Sequence, residues 1–128
     1  MILWQDKYKI GLDMVDKQHE KLFVIAGRIY DLVKISEDVD KYDEIVEVIQ
    51  ELKDYTVFHF EAEEAYMLET NYPKTFSHKM LHKKFIEKVS SVNITSLDDN
   101  QTEYLLEMLE IVLDWLQNHI LKEDVKIV

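Results

Sequence analysis

Apolar residues recur at steps of three and four along four long segments of this chain, and this periodicity constrains its fold more than any other feature. Such spacing places the apolar side chains on one face of an α-helix. The polar stretches between the segments are short, and the whole chain contains only two Gly and one Pro. A β-sandwich or β-barrel needs more turn-forming residues than this. We therefore predict an all-α fold, an up-down-up-down antiparallel four-helix bundle with an extended N-terminal arm.

The predicted bundle occupies the chain as a single domain, because 128 residues correspond to one domain. Trp4 and Tyr8 are expected to anchor the arm, in which Tyr8, Ile10, Leu12 and Met14 alternate with polar or small residues. The predicted parts are the domain 1–128, its arm 1–14 and helices over roughly 14–36, 41–70, 73–91 and 99–123.

Local sequence signals suggest where several helices begin. Asp13 is the predicted N-cap of the first helix, with Asp16 as an acid in its first turn. Pro73 fits the first position of the third helix, where its missing N–H has no cost. Asp98 and Gln101 are spaced like a capping box at the start of the fourth.

Composition excludes several classes of function. The chain has 15 Lys and Arg against 26 Asp and Glu, and its formal charge of -11 disfavours binding to nucleic acid or to an anionic membrane surface. No segment approaches the roughly 20 apolar residues of a membrane span, and no signal peptide is evident, so we expect a soluble, cytoplasmic protein. Because there is no Cys, any bound metal must be held by His and carboxylate.

All five histidines lie on the predicted core-facing stripes. A lone buried His is usually a packing residue, but buried imidazoles around a carboxylate on an apolar stripe favour a metal site. Two pairs are spaced four residues apart, so each pair projects from one helix face. In an antiparallel bundle all these residues fall at the same end. The candidate ligands identified in this way are His19, His59, Glu63, His78, His82 and His119.

Three segments carry a resemblance to a known family: WQDKYKIGLDMVDKQHEKLF, HFEAEEAYMLETNYPKTFSHKMLHKKF and DWLQNHILKED. They contain, in order, a lone His, HxxxE, HxxxH and HxxxxD. Over essentially its whole length the chain resembles hemerythrins, most closely the single-domain bacterial hemerythrins. The resemblance implies a non-haem di-iron centre with a hydroxo or oxo bridge. The implied metal ligands are His19, His59, Glu63, His78, His82, His119 and Asp124.

The family pattern also assigns these ligands to individual ions. It implies that His78, His82 and His119 bind one iron and that His19 and His59 bind the other, with both carboxylates bridging. Helix geometry alone would favour Glu123, which lies four residues after His119, whereas the family pattern favours Asp124. Asp124 can reach the site only if the final turn tightens or unwinds.

Ligand counting under this resemblance predicts the function. Five His, two bridging carboxylates and one bridging hydroxide leave a single open position, on the iron held by His19 and His59. We expect reversible O₂ binding there for storage, delivery or buffering, and no enzymatic activity. The alternatives are a di-iron oxidoreductase that scavenges peroxide, O₂ or nitric oxide, and a sensing module that acts through a protein partner.

Four apolar or aromatic residues match family positions that line the O₂ pocket, and any bundle would also bury such residues in its core. Glu61 and Glu64 are expected on solvated faces. The predicted pocket residues are Phe60, Trp115, Leu116 and Ile120.

Overall fold

The computed structural model of the protein describes residues 4–92, 97 and 100–128, and these residues form four long helices and no strand. Each helix contacts the next one along the chain, and α1 also contacts α4, so the four form a closed ring. The predicted four-helix bundle is therefore confirmed. The helices are α1 (Asp13–Val33), α2 (Tyr42–Glu69), α3 (Thr75–Ser91) and α4 (Gln101–Lys122), with short 3-10 turns at Asp6–Tyr8 and Asp124–Ile127.

The apolar stripes of all four helices meet in one core. Ile29, Ile45 and Leu105 have no exposed surface, and most of the other predicted stripe residues are buried. Val33, at the end of α1, and Tyr66, in the last turn of α2, are only partly covered. Among the described residues, no helix combines the length and the apolar character that crossing a membrane would require.

The N-terminal arm packs on the outside of α1 through an aromatic cluster. The ring centroids of Trp4 and Tyr8 lie 5.6 and 4.8 Å from that of Phe23. Met14 does not continue the alternating pattern of the arm, because α1 already begins at Asp13 and leaves the Met14 side chain exposed.

Asp16 joins this arm to α1. It lies in the first turn of α1, as predicted, but its side chain bonds to the arm. The predicted N-cap at Asp13 is wrong: Leu12 occupies the cap position, and no side chain caps the helix. The buried Asp16 carboxylate instead accepts hydrogen bonds from the backbone N–H groups of Ile10, at 2.8 Å, and Gly11, at 3.2 Å. Gly11 has φ 92°, a left-handed conformation that Gly adopts without strain.

Replacing Asp16 with Ala is expected to lower the free energy of unfolding by about 2 kcal/mol, because two partly buried N–H groups lose a charged acceptor. Urea unfolding followed by circular dichroism measures this change. Asp13→Ala is the matched control, since Asp13 is exposed, and should cost less than about 1 kcal/mol. Equal losses in the two variants would contradict the role given to Asp16.

The connection between α2 and α3 begins with a tight turn at the end of α2. Asn71 has φ 57°, and the N–H groups of Asn71 and Tyr72 donate to the carbonyls of Leu68 and Met67 at 3.2 and 2.9 Å. This pattern is a Schellman motif, which satisfies the last carbonyls of α2. The prediction for Pro73 is wrong, because Pro73 lies in the turn two residues before α3 rather than at its first position.

The start of α4 is capped by a different residue from the predicted one. Asp98 lies outside the described residues. The Asn100 side chain accepts from the N–H of Glu103 at 3.0 Å and donates to the Glu103 carboxylate at 3.1 Å. Gln101 instead accepts from the N–H of Lys41 at 2.8 Å and donates to Asp40 at 2.9 Å. These bonds tie the beginnings of α2 and α4 together.

Candidate metal centre

The seven residues predicted as metal ligands lie together at one end of the bundle. All four helices contribute. The ligand positions fall near the starts of α1 and α3 and toward the ends of α2 and α4, which lie at the same end of the bundle. All seven side chains are buried, and His119 is the most exposed of them at 6%. They are His19, His59, Glu63, His78, His82, His119 and Asp124.

Glu63 lies between two groups of imidazoles. Its Oε1 is 2.7 Å from Nε2 of His78 and 3.0 Å from Nε2 of His82. Its Oε2 is 3.2 Å from Nε2 of His59 and 3.8 Å from Nε2 of His19. Each carboxylate oxygen therefore faces a different side of the centre.

Asp124 divides the imidazoles in the same way. Its Oδ1 lies 3.0 Å from Nε2 of His78 and 2.9 Å from Nε2 of His119, whereas its Oδ2 lies 2.9 Å from Nε2 of His19. Two clusters result, and within each one the candidate ligand atoms lie within 4.8 Å of one another. One cluster has three imidazoles and the other has two. Both carboxylates belong to both clusters.

The hydrogen bonding of the centre fits bound cations. Nε2 of His59 and Oε2 of Glu63 are buried without a hydrogen-bond partner, although they lie only 3.2 Å apart. Nδ1 of His59 donates to Gln18, so the neutral ring directs an Nε2 lone pair at a carboxylate oxygen. A cation between these two acceptors would satisfy both of them. Nε2 of His19 and His119 and both oxygens of Asp124 are likewise without an aligned partner.

The regular helix ends just before Asp124, and the irregular backbone there places Asp124 at the centre. The α-helix ends at Lys122, the N–H of Glu123 donates to the carbonyl of His119 at 2.8 Å, and a 3-10 turn covers Asp124–Ile127. The backbone of Glu123, with φ -109° and ψ -49°, departs from regular α-helix geometry, and beyond it the Asp124 carboxylate faces the imidazoles. The Glu123 side chain points outward instead, with 35% of its surface exposed and its carboxylate 3.7 Å from Nζ of Lys126.

Two side chains that hold candidate ligand rings in place were not predicted from the sequence. Oε1 of Gln18 accepts from Nδ1 of His59 at 2.7 Å, and Oε2 of Glu64 accepts from Nδ1 of His82 at 2.9 Å. The expectation that Glu64 lies on a solvated face is therefore wrong. Such bonds fix the tautomer and orientation of a metal-binding imidazole and increase its basicity. The available signal was that each residue is adjacent in sequence to a ligand.

Aromatic rings cover one half of the centre. Phe60 stacks on His82 with centroids 3.8 Å apart, and Trp115 stacks on His119 at 4.5 Å. Both contacts belong to the cluster with three imidazoles, although Phe60 also lies 5.8 Å from His59. The other two predicted pocket residues, Leu116 and Ile120, are fully buried in the hydrophobic core.

In the metal-free protein, protons balance the buried carboxylate charge. Burial opposes protonation of His19 and His78, but hydrogen bonds and attraction to Asp124 and Glu63 outweigh it and raise the pKa of each imidazole to about 9. Burial also opposes ionisation of the two carboxyl groups, but their imidazole partners hold both pKa values below the usual range. Burial lowers the pKa of His59.

The metal-free protein should lose stability as pH rises from 6.5 through 9. His19 and His78 bind protons more tightly in the folded than in the unfolded chain, so their stabilising contribution is complete below pH 6.5 and is lost above 9. Urea unfolding across this range should show a decrease on the order of a few kcal/mol. The metal-loaded protein is the control and should lack this decrease, because metal uptake displaces both protons. A flat profile for the metal-free protein would contradict the assignment.

Comparison with known proteins agrees with this geometry. Residues 10–128 match the family described as hemerythrin HHE cation binding domain. The chain is 46% identical to a bacteriohemerythrin of Clostridium acetobutylicum, over 97% of this chain and 96% of that protein. A bacteriohemerythrin of Stenotrophomonas maltophilia is 31% identical, over 97% and 77%. A hemerythrin-like protein of Naegleria gruberi is 26% identical, over 96% and 87%. The chain therefore belongs to the hemerythrin HHE cation-binding family.

Proposed function

We propose that this protein binds O₂ reversibly at a centre of two iron ions. The observation that carries the proposal is the unequal division of the imidazoles, with three on one side of the shared carboxylates and two on the other. With both carboxylates bridging, the side of His19 and His59 has one ligand fewer. An octahedral ion on that side retains a position for an external ligand. Names of the relatives, bacteriohemerythrin and hemerythrin-like protein, support the same function.

The donor set favours binding over oxidation of a substrate. When bound, an iron pair in this site supplies the redox chemistry for reversible O₂ binding. The five imidazoles are neutral donors when they bind metal, and they favour the ferrous state more than a carboxylate-rich site does. Gln18 is a neutral acceptor and fixes the ring of His59 beside the proposed open position without adding a negative charge there.

Three of the predicted pocket residues are closed to solvent. Leu116 and Ile120 have at most 1% exposure, and Phe60 has 2%. We assign these three residues to the wall of the O₂ pocket, whereas Trp115 stacks on His119 on the side with three imidazoles. A dry wall slows the entry of water and protons, which would convert the protein to an inactive ferric form.

Anaerobic reduction of the iron-loaded protein, followed by optical titration with O₂, tests the proposed function. A visible absorption band should appear with O₂, reach its full intensity at one O₂ per protein, and disappear on deoxygenation. A colourless purified protein with stoichiometric zinc and no iron would contradict the proposal. Steady consumption of O₂, peroxide or nitric oxide with an electron donor would favour the scavenging oxidoreductase instead.

Leu116→Ala should accelerate oxidative inactivation of the O₂-bound protein, because the shorter side chain opens the dry wall to water. We expect a rate increase of about tenfold, which corresponds to about 1.4 kcal/mol in the barrier. Decay of the visible band in air measures this rate. Leu105→Ala is the control, since Leu105 is equally buried but belongs to the beginning of α4, far along the helix from the ligand His119. Equal rates for Leu116→Ala and the unaltered protein would remove Leu116 from the pocket.

A further inference from the structure

The helix α3 is basic in an otherwise acidic protein. Residues 74–91 contain five Lys and one acid, Glu87, so this segment has a charge of +4 and the remaining chain a charge of -15. All five lysines are exposed. The lysines are Lys74, Lys79, Lys83, Lys84 and Lys88.

Most of this positive charge is not neutralised within the protein. Nζ of Lys79 lies 3.9 Å from the Glu64 carboxylate. In the part of the chain that the structure describes, the other four lysines have no carboxylate within 4.0 Å. Lys84 and Lys88 are four residues apart on one helix face, a like-charge spacing that costs about 0.2–0.5 kcal/mol. The positive charge of these lysines therefore does not stabilise the fold.

A groove beside these lysines leads to the metal centre. It has a volume of about 190 Å³ between α3 and α4, and Leu81, Phe85, Ile111 and Trp115 form its apolar floor. Lys84 and Lys88 lie on the α3 side, Asp114 lies on the α4 side, and His119 also lines the groove.

A protein bound in the groove would lie next to a candidate metal ligand, His119. His119 is the most exposed of the seven candidate ligands, and Trp115 lies nearly parallel to its ring, with the planes 13° apart. His19 and His59, by contrast, have no exposed surface. A protein seated in the groove would touch Trp115, which in turn touches His119.

We propose that the groove between α3 and α4 docks an acidic protein that carries a one-electron redox cofactor and reduces the metal centre through Trp115 and His119. This inference rests on the proposed di-iron function. Each donor molecule is oxidised by one electron, so two successive encounters convert two ferric ions to two ferrous ions. Interfaces of transient redox complexes are small, and complementary charge raises their association rate. The apolar floor and the lysines on one side of the groove match such a partner.

The position of the groove would keep reduction and O₂ binding apart. His119 belongs to the cluster of three imidazoles, whereas the proposed O₂ position lies on the side of His19 and His59. An electron donor seated on α3 and α4 would therefore leave that position free.

Binding of flavodoxin, a small acidic one-electron carrier, tests the docking site. Calorimetry at 50 mM salt should detect binding to the unaltered protein in both its metal-free and its iron-loaded forms. The double variant K84E/K88E should bind at least about tenfold more weakly, because two attractions become repulsions. D114N should bind more tightly. The control K7E/K9E carries the same change in net charge on the arm, which packs on α1 across the bundle, and should bind like the unaltered protein.

Reduction kinetics provide the second measurement. Stopped-flow reduction of the ferric protein by flavodoxin should slow about tenfold in K84E/K88E, and 500 mM salt should remove the difference, because salt screens exposed charges. Reduction by a small uncharged reductant should be unchanged. Equal losses in K84E/K88E and K7E/K9E would overturn the proposal, since net charge alone would then explain them.

Two further outcomes would assign the lysines to another occupant and overturn the proposal. One is self-association of this protein at low salt, measured by sedimentation velocity and abolished in K84E/K88E. The other is binding to vesicles of phosphatidylglycerol and phosphatidylcholine that these lysines control, without binding to flavodoxin. Failure to bind O₂ would contradict the proposed function but leave the calorimetric result for the metal-free protein intact, so the two failures are distinguishable.

Discussion

Asp124→Asn is expected to remove at least half of the bound metal and to weaken metal binding by more than about 100-fold. Loss of a residue that only orients a ligand costs roughly 10–100-fold in affinity, and loss of a shared ligand should cost more. Asp124 has no exposed surface, and its two oxygens face imidazoles on both sides of the centre. The neutral amide has one oxygen and a donating NH₂ group, so it cannot present an oxygen to both imidazole clusters. Metal analysis after purification measures the loss.

Glu123→Gln is the matched control for this variant. It makes the same chemical change one residue earlier, at a side chain that points toward Lys126 and solvent. Its metal content should equal that of the unaltered protein. Metal loss in Glu123→Gln with full content in Asp124→Asn would reverse the assignment and restore the choice that regular helix geometry favours.

Glu63→Gln is expected to have the larger effect of the two carboxylate variants. Glu63 oxygens lie within 3.8 Å of four imidazole Nε2 atoms, compared with three for Asp124 within 3.0 Å. We expect metal content below one ion per protein and a greater loss of affinity than in Asp124→Asn, as measured by competition with a chelator.

Glu61→Gln separates the loss of a ligand from a general change in charge. Glu61 is exposed on the same helix, two residues before Glu63. The control should retain its full metal content. If both variants lost metal equally, the position of Glu63 between the two imidazole clusters would not explain the result.

The sequence predicts the location of the centre because the ligands obey helix geometry. The His59–Glu63 and His78–His82 pairs lie four residues apart, and the alternating direction of the helices brings both to one end of the bundle. These relations depend only on periodicity and topology. The structure places these residues in two groups whose candidate ligand atoms lie within 4.8 Å of one another.

Other features were not predictable in this way because they depend on irregular backbone. Asp124 reaches the centre through a 3-10 turn, whereas the stripe of α4 would have selected Glu123. Asp16 resembled an ordinary acid of a first helical turn, but its acceptor role is set by the path of the arm. Gln18 and Glu64 lie beside the stripes rather than on them, so only the tertiary contacts identify them.

The grouping of all seven polar candidate ligands at one end leaves the core at the other end mainly apolar. Ile29, Ile45 and Leu105 are fully buried there, and Lys41 is the buried charged residue at that end among those described. The two ends therefore depend on different forces. Removing metal withdraws stabilisation from the ligand end alone, while apolar packing continues to hold the opposite end. Local opening of the metal-free protein would thus begin at the ligand end, so that amide hydrogens near His19, His78 and His119 exchange before those near Ile45. Apolar packing at one end thus preserves the arrangement of the helices to which metal can return.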